Sequence, residues 1–269
     1  MLEAQLAEGM KIDALFTEFP GNPLLSSPDL NRLHRLSLQY DFSLVVDDTI
    51  ATAVNVALFP YCDVICTSLT KMFSGGCNVM GGSITLNPQS RWYNSFHKVL
   101  SEQYVDTYFP LDAAVMEHNS RDVNTRVPTA SKNAEIVVDM LRKHRVVTEV
   151  FYPKGSASQH IYESFMQPGG GYGFLLSIKF VKSECAIAFH DALDVAKGPS
   201  LGTNFTLCCA YTLLAHFKEL DWAASFGVVE YLVRISVGVE PVEALKGLVR
   251  KALDAAEREL KVDSPLVTL

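Results

Sequence analysis

The chain has 269 residues, of which 48% are hydrophobic and 20% are charged, and its formal net charge at pH 7 is -7. This composition is typical of a globular protein with one large domain or two smaller ones. The acidic balance, without a block of Lys or Arg, argues against a nucleic acid or an anionic membrane surface as the main partner and favours small-molecule ligands. The N-terminal segment lacks the apolar run of a signal peptide, and no window reaches the length of a membrane span, so the sequence predicts a cytoplasmic protein.

Six cysteines are scattered through apolar stretches of the chain. Their spacing predicts reduced, buried thiols and not a disulfide framework. Cys62 and Cys66 do not have the C-x-x-C spacing, and no second Cys/His pair lies nearby. The sequence therefore predicts no metal site.

The first part of the chain has the order of elements of an α/β protein. Apolar residues at helical spacing predict a helix over 29–40, behind the cap candidates Ser27 and Asp29. Two short β-branched runs, 43–46 and 64–67, are typical of parallel strands that are covered on both faces. We expect a helical crossover between these two strands.

The later part of the chain predicts a change of architecture. A glycine-containing strand is expected near 79–85, and helices and strands then follow to the C-terminus. The expected helices lie near 88–103, 111–118, 128–143, 186–193 and 241–260, and the expected strands lie in VVTEVFY, FLLSIKF and LVRISV. We therefore predict a partial large domain with a mostly parallel sheet over 1–144 and a smaller α+β domain over 145–269. Because only a short helix and one strand precede the first ligand loop, the large domain is expected to be truncated.

Polar side chains follow the two predicted parallel strands, at the edge where open α/β sheets bind ligands. Asp47 and Thr49 come after the first strand, and Ser68, Thr70 and Lys71 come after the second. Ser68 and Thr70 can donate hydrogen bonds to a phosphate, while a desolvated Lys71 can lose its proton and form a Schiff base with an aldehyde. Asp47 is suited to pair with a protonated pyridine nitrogen.

Each of these motifs also has a plainer interpretation. An Asp after a strand is more often a helix cap, and Ser-x-Thr-Lys has many accidental matches. Ser68 and Lys71 also spell the S-x-x-K of serine acylases, but the companion S-D-N and K-T-G elements are absent. The glycine-rich run 169–173 precedes a strand instead of opening a helix, so it predicts a turn and not a nucleotide loop.

Several sequence blocks that occur in a fixed order favour the cofactor-binding interpretation over these plainer ones. They are EFPGNPLL at 18–25, VVDDT at 45–49, SLTK at 68–71, NVMGG at 78–82, SLG at 200–202 and RISVGVE at 234–240. In this order they resemble the blocks of the pyridoxal-phosphate (PLP) enzymes of Cys/Met metabolism, and details such as SLTKMFSGG are most similar to the fungal cystathionine γ-synthases. Asp48 stands where the family usually has Asn, and Gly76 where His is common.

The resemblance implies a fold type I PLP-dependent transferase, an aspartate aminotransferase-like α/β protein, and a role for each matching residue. Lys71 would hold PLP covalently, Asp47 would pair with the pyridine nitrogen, and Ser68 and Thr70 would bind the phosphate. Thr49 and Asn22 complete the expected cofactor site, and Asn22 also reaches the substrate. Ser200 and Arg234 would bind the substrate α-carboxylate, for which the planar fork of Arg is suited.

The resemblance also implies a PLP-dependent γ-replacement in which an O-acylhomoserine and cysteine give cystathionine, the transsulfuration step of methionine biosynthesis. A different nucleophile, such as hydrosulfide or one from a secondary-metabolite pathway, or γ-elimination, stays open. The family's N-terminal Gly-Met loop, stacking Tyr and Tyr-x-Arg pair are not found in this sequence. A non-catalytic paralogue is therefore the second class of hypothesis, and the expected partners are further copies of the chain or a full-length subunit.

Overall fold

The computed structural model describes residues 2–262. The first part of this range forms a four-stranded sheet. The strand order is β1-β2-β3-β4, with β1, β2 and β3 parallel and β4 antiparallel to β3. The elements are α1 (Leu2–Ala7), β1 (Ala14–Glu18), α2 (Leu30–Tyr40), β2 (Ser43–Asp47), β3 (Val64–Ser68) and β4 (Gly82–Leu86). The predicted α/β class with a mostly parallel sheet is confirmed.

Helix α2 begins and ends through its flanking aspartates. The Asp29 carboxylate accepts a hydrogen bond from the Arg32 amide at 3.0 Å, which caps the helix N-terminus. Asp41 adopts a left-handed conformation and its amide bonds to the Ser37 carbonyl, which ends the helix. The prediction of a helix over 29–40 is confirmed, and β2 directly follows it into the core.

The connection between β2 and β3 differs from the prediction. It contains turns and a short 3-10 helix at Phe59–Tyr61 in place of a helical crossover. Thr52 has a φ of 66°, and Pro60 has no amide to donate. The expected crossover helix was therefore wrong, because this β-branched segment folds by turns onto the sheet.

Three helices link the two halves of the chain: α3 (Tyr93–Gln103), α4 (Pro110–Ser120) and α5 (Val123–Arg142). The predicted starts at 88 and 128 were wrong. Helix α3 begins later, where the Trp92 amide bonds to the Ser90 hydroxyl at 3.0 Å. Helix α5 begins earlier and contains Pro128, because the flanking Val127 and Ala130 are buried in the core and hold this turn in place.

The second part of the protein builds a five-stranded sheet of order β5-β6-β9-β8-β7, in which only the β7–β8 pair is parallel among the described strands. Its elements are β5 (Val147–Phe151), α6 (Gln159–Ser164), β6 (Leu175–Phe180), α7 (Ser183–Ala192), β7 (Ala196–Lys197), β8 (Leu207–Ala210), α8 (Tyr211–Ala215), α9 (Leu220–Ser225), β9 (Val233–Ser236) and α10 (Val242–Val262). The three predicted strands are present, and β7, β8 and the short helices are additions.

The largest core lies between the second sheet and helices α5, α7 and α10. Phe189, Leu176 and Ile235 are among its fully buried side chains. Helix α5 also contributes Val127 to a smaller cluster with Met72, so it packs against elements of both sheets. The domain division at 144/145 stays a prediction.

None of the six cysteines forms a disulfide bond within residues 2–262. Cys62, Cys185, Cys208 and Cys209 are buried, whereas Cys77 is exposed, so the prediction of uniformly buried thiols was wrong there. Cys77 follows the tight turn at Gly75 and Gly76, which turns its side chain to solvent. Within residues 2–262, none of the helices combines the length and the apolar character needed to cross a bilayer.

Candidate active site

The carboxyl ends of β2 and β3 meet at one edge of the first sheet, where their polar residues are joined. One Asp47 carboxylate oxygen accepts a hydrogen bond from the Thr49 amide at 2.9 Å. The Thr49 hydroxyl in turn accepts one from the Ser68 amide at 2.8 Å. Three of the predicted cofactor-binding residues therefore form one connected group.

A second link between the same strand tips involves a residue that the prediction left without a role. The Thr67 hydroxyl donates to the Asp48 carboxylate at 2.5 Å, and Asp48 is buried. Burial raises the pKa of Asp48 to about 6; the Thr67 hydrogen bond acts against this rise, and the negative charge of Asp47 adds to it. Asp48 therefore binds the two strand tips together at an electrostatic cost near neutral pH.

Lys71 lies in a short π-helical turn, Leu69–Phe73, that follows β3 directly. Its Nζ donates a hydrogen bond to the Ser200 hydroxyl at 3.3 Å. The loop that carries Ser200 lies close against this turn, since a Cβ added at Gly202 would stand 2.6 Å from the Met72 amide nitrogen. Gly202 also has a φ of 70°, so this approach requires glycine on two grounds.

Arg234 lies on β9 and is 4% exposed. Its guanidinium donates to the Asn22 side-chain oxygen at 3.0 Å, to the Ser200 carbonyl at 3.4 Å and to the Pro199 carbonyl. It also stands 4.8 Å from the centre of the Tyr211 ring, within range of a cation–π contact. Predicted residues that are far apart in the sequence are thus joined in one path, which runs Lys71–Ser200–Arg234–Asn22.

Two residues of this region, Glu18 and Tyr211, were missed by the sequence reasoning. The Glu18 carboxylate accepts a hydrogen bond from the Asn22 amide at 2.7 Å. Burial raises the pKa of Glu18; the Asn22 amide lowers it, and the charge of Asp47 raises it further. Glu18 opens the E-x-P-x-N-P block, so a signal for it was present, whereas Tyr211 has no comparable signal.

The two predicted phosphate-binding hydroxyls have different surroundings. Ser68 lines a cleft of about 640 Å³ together with Thr49, and its hydroxyl has no hydrogen-bond partner within residues 2–262. The Thr70 hydroxyl is used within the chain, since it accepts from the Gly81 amide at 3.0 Å and donates to the Gly81 carbonyl at 3.3 Å. Lys71 lies outside the lining of this cleft.

The donor set of the site fits PLP. Over the described part of the chain Lys71 forms no ion pair, and its hydrogen-bond partner is a neutral hydroxyl. Asp47 likewise has no cationic partner there, and its charge raises the pKa of both Glu18 and Asp48. An amine free to bind an aldehyde and an acidic cluster without a cation match the aldehyde and the protonated ring nitrogen of PLP.

Comparison with known proteins places this geometry in a family. A family model described as Cys/Met metabolism PLP-dependent enzyme matches residues 1–254. The chain is 47% identical over 258 residues to the cystathionine gamma-synthase of Neurospora crassa, covering 96% of this chain and 42% of that protein. It is 50% identical over 264 residues to the cystathionine gamma-synthase-like enzyme iboG2 of Amanita muscaria, covering 91% of this chain and 42% of that protein.

The fold is shared with a solved structure. The crystal structure of cystathionine gamma synthase from Xanthomonas oryzae pv. oryzae in complex with cystathionine matches with a TM-score of 0.85 at 24% identity, covering 96% of this chain and 66% of that one. The chain thus spans less than half the length of the two curated relatives and two thirds of this structure. The family resemblance and the predicted fold are confirmed, and PLP is the cofactor of the family. The chain belongs to the Cys/Met metabolism family of PLP-dependent enzymes.

Proposed function

We propose that this chain carries the lysine and the carboxylate-binding arginine of a cytoplasmic, PLP-dependent γ-replacement that converts an O-acylhomoserine and cysteine into cystathionine. The observation that carries the proposal is the continuous contact path Lys71–Ser200–Arg234–Asn22. It puts an amine and a guanidinium on either side of one serine. An α-amino acid presents an amino group and a carboxylate, the two groups that the cofactor lysine and the arginine would serve.

The cofactor would be held by the strand tips of the first sheet. Lys71 would bind it covalently, Asp47 would pair with its ring nitrogen, and Ser68 and Thr70 would contact its phosphate. Thr49 and Asn22 would complete the cofactor site. PLP, when bound, supplies an electron sink for negative charge that develops on the substrate carbons. Asp47 maintains that property, because its carboxylate favours the protonated ring.

Arg234 would bind the substrate carboxylate through its planar fork, with Ser200 and Asn22 as flanking contacts. This fixes the orientation of the substrate, since the guanidinium is held from several sides and is almost fully buried. Lys71 Nζ then moves protons at the substrate Cα and Cβ. The Cγ–O bond breaks and the acyl group leaves as a carboxylate. The cysteine sulfur forms the new bond to Cγ, and its thiol proton is released.

A second candidate uses another nucleophile. The chain is 50% identical to a cystathionine gamma-synthase-like enzyme from Amanita muscaria, a name that does not specify the nucleophile. The alternatives are hydrosulfide, a secondary-metabolite nucleophile and γ-elimination. Product analysis with O-acetylhomoserine and competing nucleophiles separates these reactions. A PLP-loaded chain that consumes O-acetylhomoserine without forming cystathionine would favour the second candidate.

We also infer that the chain associates with further copies of itself or with a longer subunit of the same family. Support comes from the apolar side chains of Phe16 and Ile84, which are 74% and 60% exposed on the same face of the first sheet. A non-catalytic role within such an assembly is the alternative to enzymatic activity. Cystathionine synthesis by the purified chain would rule that alternative out.

The test of the cofactor assignment is a titration of the chain with PLP, followed by visible absorbance. We expect a yellow band in the wild type and none in Lys71→Ala, with Lys98→Ala as a control because Lys98 is exposed on α3. An unchanged band in Lys71→Ala would reject Lys71 as the cofactor lysine.

A further inference from the structure

Arg126, on helix α5, is a buried cation in direct contact with the turn that carries Lys71. Its side chain is 2% exposed. One terminal nitrogen donates to the Met72 carbonyl at 2.9 Å and to the Phe73 carbonyl at 3.1 Å. The other donates to the Asn119 carbonyl and to the Asp122 carboxylate. A single guanidinium therefore ties the lysine-bearing turn to the junction of α4 and α5.

The turn needs these donors because it is short. It ends at Phe73, and carbonyls at the end of a helical segment have no further amide in the same segment to accept from. The Met72 and Phe73 carbonyls accept from Arg126 instead. A buried carbonyl without a partner destabilises its conformation, so Arg126 stabilises this one.

Neighbouring contacts hold the end of the same turn. The Asn119 side chain donates to the Ser74 hydroxyl at 2.9 Å, and the Gly75 carbonyl accepts from the Asn204 amide at 2.8 Å. Gly75 has a φ of 67°, and a Cβ there would overlap the Arg126 guanidinium. The turn is thus fixed between α4–α5 on one side and the loop of Ser200 on the other.

We infer that Arg126 is a positioning residue that holds the backbone of the Lys71 turn in the conformation from which the amine reaches the cofactor. This inference rests on the proposed function in one respect, the assignment of Lys71 as the cofactor lysine. The fork geometry is essential, because one planar group must serve the carbonyls of the turn and the Asn119 carbonyl together. The negative charge of Asp122 offsets the buried positive charge.

The test compares three variants of the 269-residue chain. Arg126→Lys keeps the charge and removes the fork, and Arg126→Met removes both. Arg121→Met is the matched control, because Arg121 lies at the same helix junction, is exposed and pairs with Glu117 of α4. Each variant is titrated with PLP, and borohydride followed by peptide mapping measures the fraction of Lys71 that carries the cofactor. Hydrogen exchange of the Ser74 and Gly75 amides is measured without cofactor.

We expect Arg126→Met to raise the dissociation constant of PLP at least tenfold and to speed exchange of the two amides at least tenfold. Arg126→Lys should give an intermediate change in both measurements, and Arg121→Met should match the wild type within twofold. If Arg126→Met does not fold, Arg126→Lys alone decides. A folded Arg126→Lys chain with the wild-type dissociation constant and wild-type exchange would overturn the inference.

The two measurements separate this inference from the cofactor assignment. Exchange that responds to Arg126 in a chain that does not carry PLP on Lys71 would support the positioning of the turn and reject the proposed function. Labelling of Lys71 that is unaffected in both folded Arg126 variants would keep the proposed function and reject Arg126 as a positioning residue.

Discussion

The two sheets of this protein differ in how completely their strands are covered. Strand β9 of the second sheet buries all four of its residues, whereas β4 of the first sheet exposes three of five. Phe189 on α7 is fully buried against the second sheet, whereas Phe16 on β1 is 74% exposed. The covered sheet carries Arg234, and the less covered sheet carries Asp47 and leads to Lys71. The main core therefore lies in one region, and the proposed function assigns carboxylate binding to that region and cofactor binding to the other.

The largest expected effect tests this difference with the same substitution in each region. Phe189→Ala should lower the free energy of unfolding by about 3–5 kcal/mol, because it leaves a cavity in the main core. Phe16→Ala should change it by less than about 0.5 kcal/mol, since that side chain is already in solvent. Urea unfolding of both variants measures the difference. Equal losses would mean that the two sheets contribute alike to stability.

The second prediction concerns Asp48, directly after the end of β2 in the first sheet, and the pH dependence of the free energy of unfolding. Burial raises the pKa of Asp48 from its usual 3.8 to about 6, so the folded state holds a proton more tightly than the unfolded state. The associated stability is fully present below pH 3.8 and is lost as the pH rises through about 6. The shift corresponds to a loss of about 3 kcal/mol.

Asp48→Asn removes this ionisation while its side-chain oxygen can still accept from Thr67. We expect the variant to be more stable than the wild type by up to about 3 kcal/mol at pH 7.5, with the difference shrinking toward pH 4.5. Unfolding measured across this range checks the slope. Parallel curves for the two proteins would show that Asp48 does not titrate in this interval.

A smaller effect concerns the arginine of the covered sheet. Arg234→Lys keeps a charge but loses the planar fork, so binding of an amino-acid substrate analogue should weaken by about 1.5–3 kcal/mol, or roughly 10- to 160-fold. The absorbance change of the PLP-loaded chain reports the dissociation constant. The corresponding amino-acid amide, which lacks the carboxylate, should show little difference between the two proteins. An equal loss for the amide would argue that Arg234 does not bind the carboxylate.

The same comparison explains which features the sequence could predict. Helix α2 has a cap at Asp29, and strands β2 and β3 are short apolar runs that end in polar residues. The sequence therefore identified Asp47, Ser68 and Lys71 as candidate site residues. Strand β7 has two residues, which is too short for any periodic signal. The β2–β3 connection lacked the expected helix because turn formation and packing onto the sheet prevailed over helical pattern.

Contacts between distant residues account for the rest. Arg126 meets the Met72 carbonyl across a separation of 54 positions, and nothing in the local sequence around either residue indicates that pairing. Tyr211 reaches Arg234 only because β8 and β9 are paired in the second sheet. The contacts of Arg126 and Tyr211 were therefore missed, while the residues at the strand ends could be chosen as site candidates.

The smallest expected effect on stability concerns the open face of the first sheet. Phe16→Lys should leave the free energy of unfolding within about 0.5 kcal/mol of the wild type, because the side chain is exposed at an edge strand. It should nevertheless lower the average mass in light scattering at high protein concentration, since a charge on an edge strand opposes association. Leu38→Lys, which changes an exposed residue of α2, is the control and should leave the mass unchanged. A wild-type mass for Phe16→Lys would show that this face does not mediate association, and the incomplete covering of the first sheet would then have no consequence for assembly.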